Sequence, residues 1–378
     1  MTKELTLRQR VLNTFAHKKV DRLVFSPRLY YWYNGNKLYL RPKTDEKCHA
    51  KIPPQFLRKS QRAIYDYLEA SPRYVLESYY IPFIWKRPKL KSGVKIRLAR
   101  GSIKGELLTY YKTPIGKLRK ITKGGHITEY PLKKLKDIRV MKYILNHSKF
   151  EFIYPLFKYA KKKLGDRGVV CTYFYRSPYM RLILEYMGYS KTIIYLKKYP
   201  SQMENFLSFI DEWNDGMFEI LCNSPIKIFN FGENIDANLA PPKYFEKYLI
   251  PYYEKRVKQF HRAGKYCHIH MDGSLKDLLP YLDQLPFDGL EALTARPQGD
   301  VTLEELQDAI GNKIYLDGIP SITFLPHYSL RYVRDYTQKV LEMFSPNIIL
   351  GVSDEMPPNG EIRKIEMIAD LIKNFEPI

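Results

Sequence analysis

Apolar and polar positions follow two different rhythms along this chain, and the change between them falls near residue 150. Residues 5–17 place Leu5, Val11, Leu12, Phe15 and Ala16 on one helical face. Asp21-Arg22 then leads into a short apolar strand, Leu23-Val24-Phe25. From about 35 to 142 the pattern is irregular, broken by prolines at 42, 53, 54, 72, 82, 88 and 114. Within it, residues 96–100 and 107–111 read as hairpin strands, and Thr113-Pro114-Ile115-Gly116 as a turn between others. Helix resumes at Asp137.

Beyond residue 168 the rhythm becomes regular. Short apolar runs at 168–175, 226–231, 266–270, 289–293, 314–316 and 348–352 predict strands. Helical spacing fills the intervals at 178–187, 190–197, 202–222, 242–263, 274–284, 302–310 and 329–343. Such alternation predicts βαβ units and a parallel sheet. With residues 23–25 and one more strand the count reaches about eight, which favours a closed (β/α)8 barrel over an open doubly wound sheet. The chain is read as one barrel domain over 1–378, with an irregular part at 1–150 and regular repeats at 151–378.

The ends of these strands carry the candidate chemistry, because a barrel of this class reacts at the C-terminal ends of its strands. Arg176 follows the 168–175 strand, and Gly232-Glu233-Asn234 follows 226–231. His270 and Asp272 close 266–270; Glu291 and Thr294 close 289–293. Asp317 follows 314–316, and Ser353-Asp354-Glu355 follows 348–352. Positions i and i+2 of a strand share a side, so His270 and Asp272 face one place. His268 shares that side but lies deeper. Several carboxylates around one imidazole would raise one another's pKa unless a positive charge sat among them. A divalent cation is one resolution, with His270, Asp272, Asp354 and Glu355 as ligands and an open position for substrate. The competing reading is that some carboxylates pair with Arg28 and Arg176, and that Asp272 caps the helix after it.

Charge adds a second asymmetry. Residues 1–150 hold 35 Lys and Arg against 10 Asp and Glu, whereas the remainder holds 27 against 30. The basic surplus suits an anionic partner or a plain compositional bias. Nucleic acid is disfavoured, since a mouth lined by carboxylates repels phosphate. No GxGxxG or GxxxxGK[ST] follows a strand. The N-terminus lacks a signal-peptide apolar segment, no run reaches membrane-spanning length, and four scattered cysteines form no framework. A cytoplasmic protein is expected.

At these residues the chain resembles the uroporphyrinogen decarboxylase superfamily, in its cobalamin-dependent methyltransferase branch. The matching pieces run in order: Arg8-Gln9-Arg10-Val11-Leu12-Asn13 with Val20-Asp21-Arg22, then Thr113–Gly116, then Gly232-Glu233-Asn234 with Pro251-Tyr252-Tyr253. Lys265–Gly273, Asp288-Gly289-Leu290-Glu291 with Gly299-Asp300, and Leu350–Asp354 complete them. The resemblance implies a distorted (β/α)8 TIM barrel, with the hairpin region covering its mouth. It also implies methyl transfer between a small-molecule methyl donor or C1 carrier and a corrinoid (cobalamin) carried by a partner protein. A divalent metal, zinc in the relatives, would act as Lewis acid.

Two departures stand out. Decarboxylases of the family carry Arg-Gln-Ala-Gly-Arg after the first strand, where this chain has Pro27-Arg28-Leu29-Tyr30-Tyr31-Trp32, so only Arg28 persists. The methyltransferases bind zinc through His-x-Cys and a later cysteine; here Asp272 takes the first cysteine's place and none stands near the last strand. Catalytic roles are expected for Glu233, Asn234, Arg176 and Glu291, and substrate contacts for Arg28, Tyr31, Thr294 and Asp317. The alternative is a metal-independent decarboxylase or lyase of another carboxylic acid, clamped by Arg28 and Arg176. Monomer and homodimer remain open.

Overall fold

The computed structural model describes residues 4–73 and 83–376; residues 74–82 of the irregular stretch lie outside them. Helix Leu7–Phe15 opens with a reciprocal cap, in which Thr6 accepts from Gln9 N–H and the Gln9 side chain accepts from Thr6 N–H. It leads to β1 (Val24–Phe25). The irregular region then supplies β2 (Ile84–Pro88), β3 (Lys95–Arg100), β4 (Glu106–Thr113), β5 (Gly116–Lys123), β6 (His126–Glu129) and β7 (Ser148–Phe152). The regular half supplies β8 (Cys171–Tyr173), β9 (Ile228–Ile235), β10 (Tyr266–Met271), β11 (Gly289–Glu291), β12 (Ile314–Pro320) and β13 (Ile348–Ser353).

Seven strands form one parallel sheet in the order β1-β13-β12-β11-β10-β9-β8. Every strand expected after residue 168 belongs to it. At the seam, Ser71 N–H donates to Phe25 O at 2.8 Å. A Cβ on Gly168, just ahead of β8, would lie 2.7 Å from Ser71 Oγ. Residues 70–73 therefore run between β1 and β8, in the place of an eighth strand. The result is a distorted (β/α)8 TIM barrel.

Alternation along the strands divides the core. Phe229, Phe231, Cys267, Ile269, Leu290, Tyr315 and Leu350 pack outward in a cluster that extends to the surrounding helices. Val24, Cys171, Ile228, Ile314, Leu316 and Ile349 fill the barrel's lower interior, and Val11 and Phe15 of the first helix close it from below. This apolar plug confines polar chemistry to the upper half.

The hairpin turn reads as the pattern suggested. Thr113 pairs with Gly116 across Pro114-Ile115, and β3-β4-β5-β6 form an antiparallel meander. Gly116 packs against helix Asp137–Asn146, where a Cβ would meet Val140 at 2.7 Å. The stretch at 274–284 shortens to a 3-10 turn, Lys276–Tyr281, because Pro280 inside it cannot extend an α-helical ladder. The helix expected at 242–263 widens to a π turn at Phe245–Leu249, ahead of Pro251, which has no N–H to give. No helix of the described residues is long and apolar enough to cross a membrane.

Candidate functional site

Parallel register sets the first pair. His270 of β10 stands beside Glu291 of β11, and both side chains point into the barrel. His270 Nδ1 lies 2.9 Å from Glu291 Oε2, so Nδ1 carries the proton and Nε2 faces the cavity above. Asn230 of β9 donates to the same oxygen at 2.5 Å, and Arg73 Nη1 donates to Oε1 at 2.9 Å. Burial opposes the Glu291 charge, but Arg28, His268 and the bond from His270 outweigh it and hold the carboxyl well below its usual range. Burial also opposes the His270 cation; the bond to Glu291 and the charges of Glu291 and Asp354 outweigh it and raise the imidazole. His268, one pleat lower, meets Cys171 Sγ at 3.7 Å, and burial pushes it down to about 4.

The positive charge demanded by the carboxylate ring comes in large part from two buried arginines. Arg28 Nη1 lies 2.5 Å from Asp354 Oδ1, 3.7 Å from Asp317 and 3.9 Å from Glu291, while its Nε lies 3.3 Å from Glu355. Arg73 bridges Glu291 and Asp317, at 2.9 and 2.6 Å. Gly351 of β13 leaves the space for that bridge, since a Cβ there would lie 2.7 Å from Asp317 Oδ1. Burial still lifts Asp317 to about 6 against the pull of both arginines.

Above this layer opens a cavity of about 260 Å³. One wall carries Arg176 and Asn234, joined by a 3.0 Å bond from Arg176 Nη2 to Asn234 Oδ1. Three strands separate β9 from β13 in the sheet, so the opposite wall carries Arg28, Tyr31 and Asp354. His270 lines it between them, and Tyr173 and Phe174 add aromatic surface.

Several expected site residues stand elsewhere. Glu233 lies on the other face of β9 from Asn230 and Asn234, away from the cavity lining. Its carboxylate accepts from Ser177 N–H at 2.7 Å and Ser177 Oγ at 2.8 Å, and burial raises it to about 7. It anchors the start of helix Pro178–Arg181, which Ser177 caps. Thr294 turns back to donate to Ala292 O at 2.8 Å. Asp317 and Glu355 are buried beneath the cavity against the arginines. Asp272 does not cap the next turn: Asp300 accepts from Leu275 and Lys276 N–H there.

The residues expected to ligate a metal come to one end of the barrel without forming a ligand set. Asp272 Oδ1 and Asp354 Oδ1 lie 3.9 and 3.8 Å from His270 Nε2. Yet the three side chains do not bring one atom each within 4.8 Å of one another, and Asp354 Oδ1 is already held by Arg28. Tetrahedral ligands about 2.0–2.2 Å from zinc must lie closer together than that. The arrangement therefore does not suit a divalent metal as it stands. Among the described residues one group meets that spacing, His261, Cys267 and Asp288. It lies at the opposite end of the strands, where Asp288 accepts from Cys267 N–H at 2.7 Å.

Arg73 and Asn230 escaped the sequence reading. Arg73 sits in the irregular stretch with no strand signal beside it, and Asn230 lies inside an apolar run. The inward parity of Asn230 with Asn234 was the available clue.

The segment at 118–375 matches the family model for uroporphyrinogen decarboxylase (URO-D). No curated protein sequence matches the chain. Among solved structures, a methyltransferase from Methanosarcina mazei is similar over 98% of this chain and 99% of its own, with 14% identity and a TM-score of 0.61. A B12-independent methionine synthase from Shewanella sp. W3-18-1 is more distant, at 13% identity over 74% and 76% of the two chains, with a TM-score of 0.38. The family match spans more than half of the sequence and takes in the strands that carry Asn234, His270 and Glu291 and the turn after the last strand that carries Asp354, and on these grounds the chain belongs to the uroporphyrinogen decarboxylase family.

Proposed function

We propose that this chain is a methyltransferase that takes a methyl group from a small substrate held in the barrel-mouth cavity and passes it to a corrinoid protein. The observation that carries the reading is the state of Arg28. Its guanidinium is engaged by Asp354, Glu355, Asp317 and Glu291, so it is not available to grip a substrate carboxylate. A lyase clamped by Arg28 and Arg176 loses half of its clamp. The fold likeness to a methyltransferase favours the same choice.

In this reading the methyl-bearing heteroatom lies against His270 Nε2. Glu291 fixes the ring and its tautomer, and His270 holds or accepts a proton at Nε2 as the heteroatom changes charge. Asn234 and Arg176 orient the substrate. The corrinoid, presented at the mouth by its own protein, supplies the nucleophile for the methyl group. Because the His270, Asp272 and Asp354 arrangement does not suit a metal, no step is assigned to one.

The test uses free cob(I)alamin as acceptor, followed by its absorbance, with a panel of O-, N- and S-methylated small molecules. Methyl transfer that falls at least a hundredfold in His270→Gln supports the reading. Carbon dioxide release from a carboxylic acid panel, with no methyl transfer from any donor, overturns it in favour of the decarboxylase alternative.

A further inference from the structure

Asp272, Glu291, Asp317, Asp354 and Glu355 gather around Arg28, Arg73 and His270. Asp354, which lines the cavity, and Asp272, which lies beside His270, each keep about a third of their side chains exposed. Exposed carboxylate surface at that wall favours a cationic group in the ligand. The opposite wall offers a guanidinium: Arg176 is held by Asn234 and Glu185, with its side chain 30% exposed. Tyr31, beside Asp354, and Tyr173 and Phe174 add aromatic surface, which methylated ammonium groups prefer.

We infer that the substrate is a small zwitterion, a carboxylate joined by a short spacer to an N-methylated ammonium. The carboxylate lies on Arg176 and Asn234, and the ammonium lies against Asp354, Asp272 and His270. The inference rests on the methyltransferase reading above and names its substrate class. The group transfer balances: the nitrogen keeps the bonding electron pair and becomes a neutral amine, while the methyl group passes to the corrinoid acceptor already named. The carboxylates that favour the ammonium also keep the nitrogen charged until the methyl leaves, which makes it the better leaving group.

Binding tests this without any methyl acceptor. Calorimetry compares N,N-dimethylglycine with isovalerate, which has the same shape but no charge on the branch atom, and with N,N-dimethylethanolamine, which lacks the carboxylate. N,N-dimethylglycine should bind at least about tenfold more tightly than either, the effect of one charge-assisted hydrogen bond. Arg176→Gln should erase the preference over N,N-dimethylethanolamine, and Arg176→Lys should restore part of it. Asp354→Asn should erase the preference over isovalerate. Equal binding of isovalerate and N,N-dimethylglycine would overturn the inference, as would an unchanged preference in folded Arg176→Gln. Methyl transfer from another donor with no N,N-dimethylglycine binding would sink this inference alone. Selective binding with no transfer to cob(I)alamin from any methylated donor would instead sink the methyltransferase reading and leave the ligand class standing.

Discussion

Arg28 Nη1 lies 2.5 Å from Asp354 Oδ1, the same oxygen that faces His270 Nε2 at 3.8 Å. One guanidinium thus occupies the place expected for a metal among the carboxylates. Both Arg28 and Glu355 are almost wholly buried, so removing the cation strands negative charge in the interior. Arg28→Met is expected to lower stability by about 3–5 kcal/mol, the range for breaking a buried ion pair by deleting one partner. Urea unfolding measures it. A loss below about 1 kcal/mol would show that the arginine does not balance this ring.

The same relationship bears on metal content. Zinc at His270 would have to draw Asp354 away from Arg28 and bring Asp272 closer. Purified protein, dialysed without chelator, is expected to carry far less than one equivalent of zinc at this site by elemental analysis. A full equivalent that disappears in Asp272→Ala would contradict the argument, and would return the site to the ligand set expected from the sequence.

Two imidazoles on one face of β10 should titrate in opposite directions. His268 is pushed down to about 4 by burial, while His270 is raised above 6.5 by Glu291 and Asp354 against its own burial. The signs for stability differ accordingly. For His270 the folded state binds the proton more tightly, so its contribution is full below 6.5 and is lost as pH rises through its folded value. For His268 the unfolded state binds the proton more tightly, so stability falls as pH drops from about 6.5 towards 4. Nitrogen-detected histidine spectra across pH 4–9 should show one ring titrating above 6.5 and another still neutral at pH 5.5. His268→Gln should remove the second.

Glu233 gives a pH dependence of a third kind. Its carboxyl is wholly buried and raised to about 7, so the folded chain holds a proton that the unfolded chain releases near 4.5. Stability from this group is complete below 4.5 and drains away as pH rises through about 7. Glu233→Gln keeps an acceptor for Ser177 N–H and removes the charge. It should match the wild type near pH 5 and exceed it by about 2–3 kcal/mol above pH 8. Equal urea midpoints at both pH values would mean that the carboxylate is ionised throughout.

The barrel was legible because its signal is local. Apolar runs at 226–231, 266–270 and 348–352 became β9, β10 and β13, and strand parity put His268 and His270 on one side. Parity also carried the information that Glu233 and Asn234, being neighbours, must face opposite ways. The balance of charge was less legible. Arg28 was visible, but Arg73 reaches Glu291 and Asp317 across 218 and 244 residues from a segment without periodicity. A carboxylate ring announces that a cation is needed. It does not say whether an arginine, a metal or a ligand provides it.

The Tyr173 wall of the cavity offers a test that touches no charge. The Tyr173 ring packs against Gly232, and a Cβ at that glycine would sit 2.3 Å from Tyr173 Cδ1 and 2.8 Å from Cε1. No contact of that length survives, so Gly232→Ala must push the ring away. The strand behind it holds Phe231 and Glu233 in the outer core, which leaves the open cavity as the direction of least resistance. The cost in stability is expected to be about 1–3 kcal/mol, as for other overpacked sites. Ligand binding should suffer more, because a tyrosine ring displaces a large share of about 260 Å³. Calorimetry with N,N-dimethylglycine beside urea unfolding separates the two effects. A Gly232→Ala chain that binds as the wild type does would place the ligand away from the Tyr173 wall.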